Sequence, residues 1–280
     1  MKVSGFTFIR NAVRYDFPVI EAITSTLPIV DEFIVNVGKS DDGTLELIRS
    51  IPSDKVRIVE SVWDESLKKD GLIYSQQTNI ALAQCTGDWA VYVQGDEVIH
   101  EQDLPAMVHA MKANLDNRSV KGLLFRYLHF MGDYWSLNPW FYHRAVRVIR
   151  NNGEIESCGD AVGFHVKATR QYLQSGPREW LADSGARMFH YGWVKEPQTM
   201  LAKKREQVTV YTNRLSPADE RQIASEAWIF EEYDILKNFT GTHPAVMRER
   251  VNRFPKLKPG RNRWLEPAFY RAMMKRGFRG

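Results

Sequence analysis

Four short apolar runs, Val3–Ile9, Phe33–Val37, Val56–Val59 and Trp89–Val93, alternate with stretches whose apolar residues recur at helical spacing. Continuous apolar runs suit strands buried on both faces. Val19, Ile20, Ile23 and Leu27 within 18–27, and the later stretch 75–84, carry the helical pattern. A strand that returns parallel to its predecessor needs a crossover, usually a helix. The alternation therefore predicts an α/β fold, a mostly parallel sheet with helices on both faces. Lys39-Ser40-Asp41-Asp42-Gly43-Thr44 predicts a turn capping a short helix through Leu45 and Ile48.

In open α/β sheets ligands bind beyond the carboxyl ends of the strands. The run Trp89–Val93 ends in Gln94-Gly95-Asp96-Glu97, which places two adjacent carboxylates at that edge. Hard oxygen ligands there suit Mg²⁺ or Mn²⁺ held against a diphosphate; a charged turn after a core strand is the alternative. Neither GxGxxG nor GxxxxGK[ST] occurs, so the usual signatures of dinucleotide oxidoreductases and P-loop enzymes are missing.

Past Asn114 the rhythm changes. Val120–Leu128 and Ala145–Ile149 predict strands flanking a loop rich in Trp135, Trp140, Phe141 and Tyr142, and 187–193 predicts another apolar strand. Helical patterns dominate from Pro197. The chain divides into an α/β domain over 1–195, with halves 1–113 and 114–195, and a helical extension over 196–280. Cys85 and Cys158 stand in no CxxC arrangement, so they indicate neither a disulfide framework nor a zinc site. No run approaches the ~20 apolar residues of a membrane span, and the first residues enter a strand pattern without a signal-peptide layout; a cytoplasmic protein is expected.

Charge separates the tail from the body. Residues 247–280 carry +9 of a chain whose net charge is +4, leaving −5 for the rest, and the tail interleaves its cations with Trp264, Leu265, Phe269, Tyr270, Met273 and Met274. Such a helix suits an anionic membrane interface. Single-stranded nucleic acid is a second ligand for basic-plus-aromatic surfaces, set behind the membrane here. A terminal helix packing its aromatics onto the body is the third reading.

Taken in order, Phe8-Ile9-Arg10-Asn11, Asp31-Glu32-Phe33-Ile34-Val35 into Ser40-Asp41-Asp42-Gly43-Thr44, Asn79-Ile80-Ala81 with Gly87-Asp88-Trp89, and Asp96-Glu97 resemble glycosyltransferase family 2 enzymes of the GT-A fold. His190-Tyr191, with Lys203 or Lys204 a helix later, is similar to one bacterial branch of that family. The resemblance covers about residues 1–195. It implies inverting transfer of a sugar from a UDP- or GDP-linked donor to a glycan or lipid-linked acceptor at the inner membrane face, with Mn²⁺ or Mg²⁺ as cofactor.

The resemblance assigns donor binding to Arg10, Asn11, Asn36, Lys39, Asp42, Asn79 and Gln94, and metal contact to Asp96 and His190. Gln94 stands where the family's Asp-x-Asp motif has its first acid; its amide can still hydrogen-bond a sugar or ribose. Asn36-Val37-Gly38 replaces a segment that often holds a base-reading Asp, so uridine is not fixed. Lys39 faces phosphates or is a solvated loop lysine. His100, His109, His129, His143, His165 and His243 have no context comparable with that of His190. Asp160, in Ser157-Cys158-Gly159-Asp160-Ala161-Val162, occupies the place of the family's catalytic acid and would be the general base; helix capping is its alternative, and Glu156 and Asp183 are rivals. Trp135 and Trp140 would form a sugar-stacking platform or a lid core. A nucleotidyltransferase and a non-catalytic nucleotide or glycan binder remain as alternative functions.

Overall fold

The computed structural model describes residues 1–67, 69–212, 216–218, 221, 236–255, 270 and 274. In chain order its elements are β1 (Val3–Ile9), α1 (Val19–Thr26), β2 (Glu32–Gly38), α2 (Thr44–Arg49), β3 (Val56–Ser61), α3 (Leu72–Leu82), β4 (Trp89–Tyr92), β5 (Glu97–Ile99), α4 (Leu104–Ala113), β6 (Gly122–Met131), β7 (Ser136–Leu137), β8 (Arg144–Arg150), β9 (Ile155–Cys158), β10 (Gly163–Val166), β11 (Leu181–Trp193), α5 (Pro197–Thr212), β12 (Lys237–Asn238) and α6 (Arg248–Arg253).

The α/β architecture expected from the alternation is the one observed. The main sheet runs β12-β7-β6-β8-β4-β1-β2-β3, and β11 lies between β5 and β6. Strands β3, β2, β1 and β4 are mutually parallel. Beyond them the sheet is mixed, because β8 runs antiparallel to both β4 and β6 while β11 runs parallel to β6. Strands β9 and β10 form a separate pair.

The strands' two-residue period divides the core. Val3, Phe33, Val35, Val37, Trp89 and Val91 meet Val19 and Ile23 of α1, Ile48 of α2 and Met107 and Met111 of α4 on one face. Phe6, Ile34, Ala90 and Tyr92 meet Ala81 and Leu82 of α3 on the other. Each Val, Leu, Ile, Phe or Met among them contributes about 1.5–3 kcal/mol when fully buried, so both faces are fixed by many small terms. A third cluster, Val98, Phe130, Tyr134, Phe189, Tyr191 and Met247, ties the segment around α6 to β5, β6 and β11.

Element bounds differ from the sequence expectation, most of all at β11, which begins at Leu181 rather than at 187. Helix α3 starts at Leu72 rather than Ser75, because Gly71 adopts φ 71° and caps it. Strand β3 extends to Ser61 because Gly38 of β2 pairs with it there. Apart from Tyr270 and Met274, the basic helix read over 261–280, with Trp264, Leu265, Phe269 and Met273, and its joint at Pro259 and Gly260 lie outside the described residues, as do 213–215, 219–220 and 222–235. Among the described residues no helix is long and apolar enough to cross a membrane.

Candidate active site

A cavity of about 390 Å³ opens beyond the carboxyl ends of β1 and β4. Arg10 and Asn11 enter it from the end of β1, Gln94 and Asp96 from the β4–β5 turn, His129 from β6, His190 and Trp193 from β11, Asp160 from the β9–β10 turn, and Lys203, Glu206, Gln207 and Tyr211 from α5. The β1 loop is locked by the turn before α2. Asp42 accepts from Thr44 N–H at 3.1 Å and Arg14 N–H at 2.7 Å, and Thr44 Oγ1 accepts from Ala12 N–H at 2.8 Å. Asp42 thus shapes the loop carrying Arg10 and Asn11 without lining the cavity.

The centre of the site is made by strand register. Strand β5 pairs antiparallel with β11, with His190 opposite Glu97, and β11 pairs with β6, with His190 opposite His129. Asp96 C=O accepts from Tyr191 N–H at 2.8 Å, which extends that ladder and sets Asp96 beside His190. Asp96 is buried, with 7% of the residue exposed. Burial alone would raise its pKa, but Lys203, His190 and Lys195 together hold it well below the usual carboxylate range. Lys203 Nζ donates to Asp96 Oδ2 at 3.2 Å and to Gly192 C=O at 2.8 Å.

The two histidines have assignable tautomers. A carbonyl only accepts, so His129 Nε2–H donates to Tyr142 C=O at 2.8 Å. Burial lowers His129 to about 3, so the ring is neutral and its Nδ1 accepts from His190 Nδ1–H at 3.2 Å. Burial also lowers His190, and the neutral ring turns its Nε2 lone pair toward Asp96 Oδ2, 3.8 Å away. Two electron-pair donors facing each other at that distance suit a shared cation, since two ligand bonds of ~2.1 Å span it. An imidazole and a carboxylate fit Mn²⁺ on softness grounds. Among the described residues no group of three or more His, Cys, Asp and Glu side chains could hold a metal. An ion on this pair would complete its shell with substrate and water oxygens.

Glu97 is used differently from its neighbour. Glu97 and Arg147 are fully buried and joined by two hydrogen bonds of 2.8 Å, from Nε to Oε2 and from Nη2 to Oε1. Tyr127 donates to the same carboxylate at 2.6 Å. Arg147 Nη1 then donates to Val162 C=O at 2.9 Å, so this pair connects the Asp96 turn to the Asp160 turn. A buried ion pair of this kind is strongly destabilising to break from one side. Gln94 makes a second tie, donating to Ala161 C=O at 3.3 Å.

Asp160 stands in a tight turn where Gly159 and Ala161 both have positive φ, 59° and 64°. Its Oδ1 accepts from Val162 N–H at 3.3 Å and its Oδ2 from Tyr211 Oη at 2.7 Å. The rivals lie elsewhere: Glu156 pairs with His165 and Arg170, and Asp183 caps Gly185 N–H. Asn36 is buried against Gln77 of α3, Asn79 binds the backbone of Ser157, and Lys39 is exposed; none of the three lines the cavity. Trp135 and Trp140 do not line it either, whereas Phe141, Tyr142 and Trp193 do.

The sequence reading passes over His129, Glu206, Gln207 and Tyr211. The three α5 residues share one helical face with Lys203, a pattern visible in sequence once the helix is known to face the site. Nothing local in sequence marks His129.

No protein-family model matches the chain, and no curated protein does. Solved structures are similar to it. Staphylococcus aureus TarS is 16% identical at a TM-score of 0.44, the match covering 82% of this chain and 43% of that one, so the chain spans less than half of TarS. TarS 1–349 in complex with UDP is 16% identical at a TM-score of 0.44, covering 83% and 71%. Glucosyl-3-phosphoglycerate synthase from Mycobacterium tuberculosis, in complex with Mn²⁺ and UDP-glucose, is 18% identical at 0.32, covering 46% and 44%.

Proposed function

We propose that this chain is a family 2 glycosyltransferase of the GT-A type, transferring a sugar with inversion from a UDP- or GDP-linked donor to a hydroxyl of a glycan or lipid-linked acceptor. The observation that carries this reading is the convergence of Asp96, His190 and Asp160 on one cavity at the carboxyl ends of parallel strands. Asp96 and His190 would hold a divalent ion, Mn²⁺ or Mg²⁺, which when bound neutralises charge gathering on the departing diphosphate. Lys203, now on Asp96, is a second cation within reach of that diphosphate.

Asp160 acts as the general base. The acceptor oxygen bonds to the anomeric carbon while the carbon–oxygen bond to the diphosphate breaks with its electron pair, and the hydroxyl proton passes to the Asp160 carboxylate. Tyr211 orients that carboxylate through its 2.7 Å hydrogen bond. Attack opposite the leaving group inverts the anomeric centre. Phe141, Tyr142 and Trp193 offer aromatic faces to a sugar ring.

A panel of nucleotide sugars, assayed for released nucleotide with and without Mn²⁺, tests the reading. Glycosyl transfer releases a nucleoside diphosphate, nucleotidyl transfer from a nucleoside triphosphate releases pyrophosphate, and a binding protein releases neither. Asp96→Ala should lower turnover by about a hundredfold or more while leaving the fold intact by circular dichroism. Full activity in excess chelator, or in Asp96→Ala, sinks the metal assignment.

A further inference from the structure

Helix α5 presents an unusual face to the cavity. Positions 203, 206, 207, 210 and 211 share one helical stripe, which in a packed helix is apolar. Here Val210 is buried, while Lys203, Glu206, Gln207 and Tyr211 line the cavity, giving it a cation, a carboxylate, an amide and a phenol. The stripe's two ends are occupied: Lys203 is bonded to Asp96 and Tyr211 to Asp160. Between them the Glu206 and Gln207 side chains make no hydrogen bond or ion pair with any of the described residues. Glu206 stands close enough to Tyr15 and Tyr74 to raise both phenols, a smaller effect than burial in each case.

Position along the helix decides what this middle pair meets. Lys203 and Tyr211 are eight residues apart, about 12 Å at 1.5 Å per residue, and they mark the diphosphate end and the acceptor-base end of the proposed reaction. The transferred sugar must lie between leaving group and base. We propose that Glu206, assisted by Gln207, recognises the hydroxyls of that sugar and selects an uncharged, hydroxyl-rich hexose. An ionised carboxylate only accepts, so it pairs with hydroxyl donors, and such charge-assisted bonds are about twice as strong as neutral ones. The same charge repels a donor whose sugar carries its own carboxylate. This inference rests on the glycosyltransferase reading and adds the sugar class to it.

Binding measurements separate the two. The wild-type protein, Glu206→Gln and Glu206→Ala would each be titrated, with Mn²⁺ present, with UDP, GDP, UDP-glucose, GDP-mannose and UDP-glucuronate. The nucleoside diphosphate that binds should bind all three proteins within about twofold. Its neutral sugar conjugate should bind Glu206→Ala about tenfold more weakly than wild type, with Glu206→Gln between them, and the preference for glucose over glucuronate should shrink in both variants. Where Glu206→Ala fails to fold, Glu206→Gln carries the comparison through that narrowed preference. Sugar nucleotides that bind all three proteins equally overturn the assignment of Glu206 alone. Absence of binding by every probe to the wild-type protein overturns the glycosyltransferase reading and this inference with it.

Discussion

At the residue scale the site is a problem of close approach. A Cβ at Gly192 would lie 2.5 Å from Asp96 Oδ2 and 2.9 Å from His190 Cε1, so only a glycine lets these two side chains share that space. Gly192→Ala should therefore lower turnover by at least about tenfold and cost about 1–3 kcal/mol of stability, read from steady-state kinetics and urea denaturation. Parental turnover would show that the pair relaxes freely and that its spacing is unimportant. Asp160→Asn keeps the turn through an oxygen on Val162 N–H and can donate its amide to Tyr211 Oη, but it cannot take up a proton. Transfer should slow by about 10²–10⁴-fold with donor affinity unchanged. Parental rates in that variant would move the search for the base to Glu206, a further carboxylate lining the cavity. Asp96 is legible in sequence because a carboxylate ending an apolar strand is a local pattern. His129 is not, since it meets His190 across 61 residues of chain through strand register alone.

At the element scale the segment from β12 to α6 is held by aromatic packing onto β6 and β11. The His243 ring stacks obliquely on Phe130 and Phe239, and its Nδ1 lies 2.8 Å from Tyr191 Oη. Burial lowers His243 to about 4, against about 6.5 in an unfolded chain. Below pH ~6.5 the unfolded state takes up a proton that the folded state refuses, so stability rises with pH through this window. The contribution is complete above pH ~6.5 and is lost as the pH falls toward 4; His129, lowered to about 3, acts in the same sense. Urea midpoints should fall from pH 7.5 to pH 5, and fall less in His243→Gln. Identical slopes for the two proteins would mean that this ring titrates the same way folded and unfolded. Sequence periodicity found α1 and most of α3, but it gave no hint of how the His243 segment docks, since its aromatics follow no single period.

At the scale of the whole molecule, charge is divided between a −5 body and a +9 tail from Met247 onward. Each cation near an anionic surface contributes about 1 kcal/mol, so partial engagement of the tail exceeds the repulsion felt by the body. The chain should sediment with anionic vesicles more than with neutral ones, and less so as salt rises. A chain ended at Pro259 should lose most of that preference. Equal sedimentation of the two would assign the tail to ordinary packing and allow a soluble acceptor.

What the sequence determined by itself is the α/β class, the two-faced core and the strand edge carrying Asp96, because each follows from periodicity within a few neighbouring residues. The parallel strands β1 to β4 needed only apolar runs and crossover helices to be foreseen. Tertiary structure decided the rest. Whether β8 enters antiparallel, which strand β11 joins and in what register are set by packing between distant segments. That register brings His190 between Asp96 and His129, commits Glu97 to Arg147 rather than to the cavity, and leaves Asn36, Lys39, Asp42 and Asn79 outside its lining. The polar face of α5 belongs to the same class: its spacing is written in the sequence, but only the packing of the helix over the strand ends turns that face toward the site.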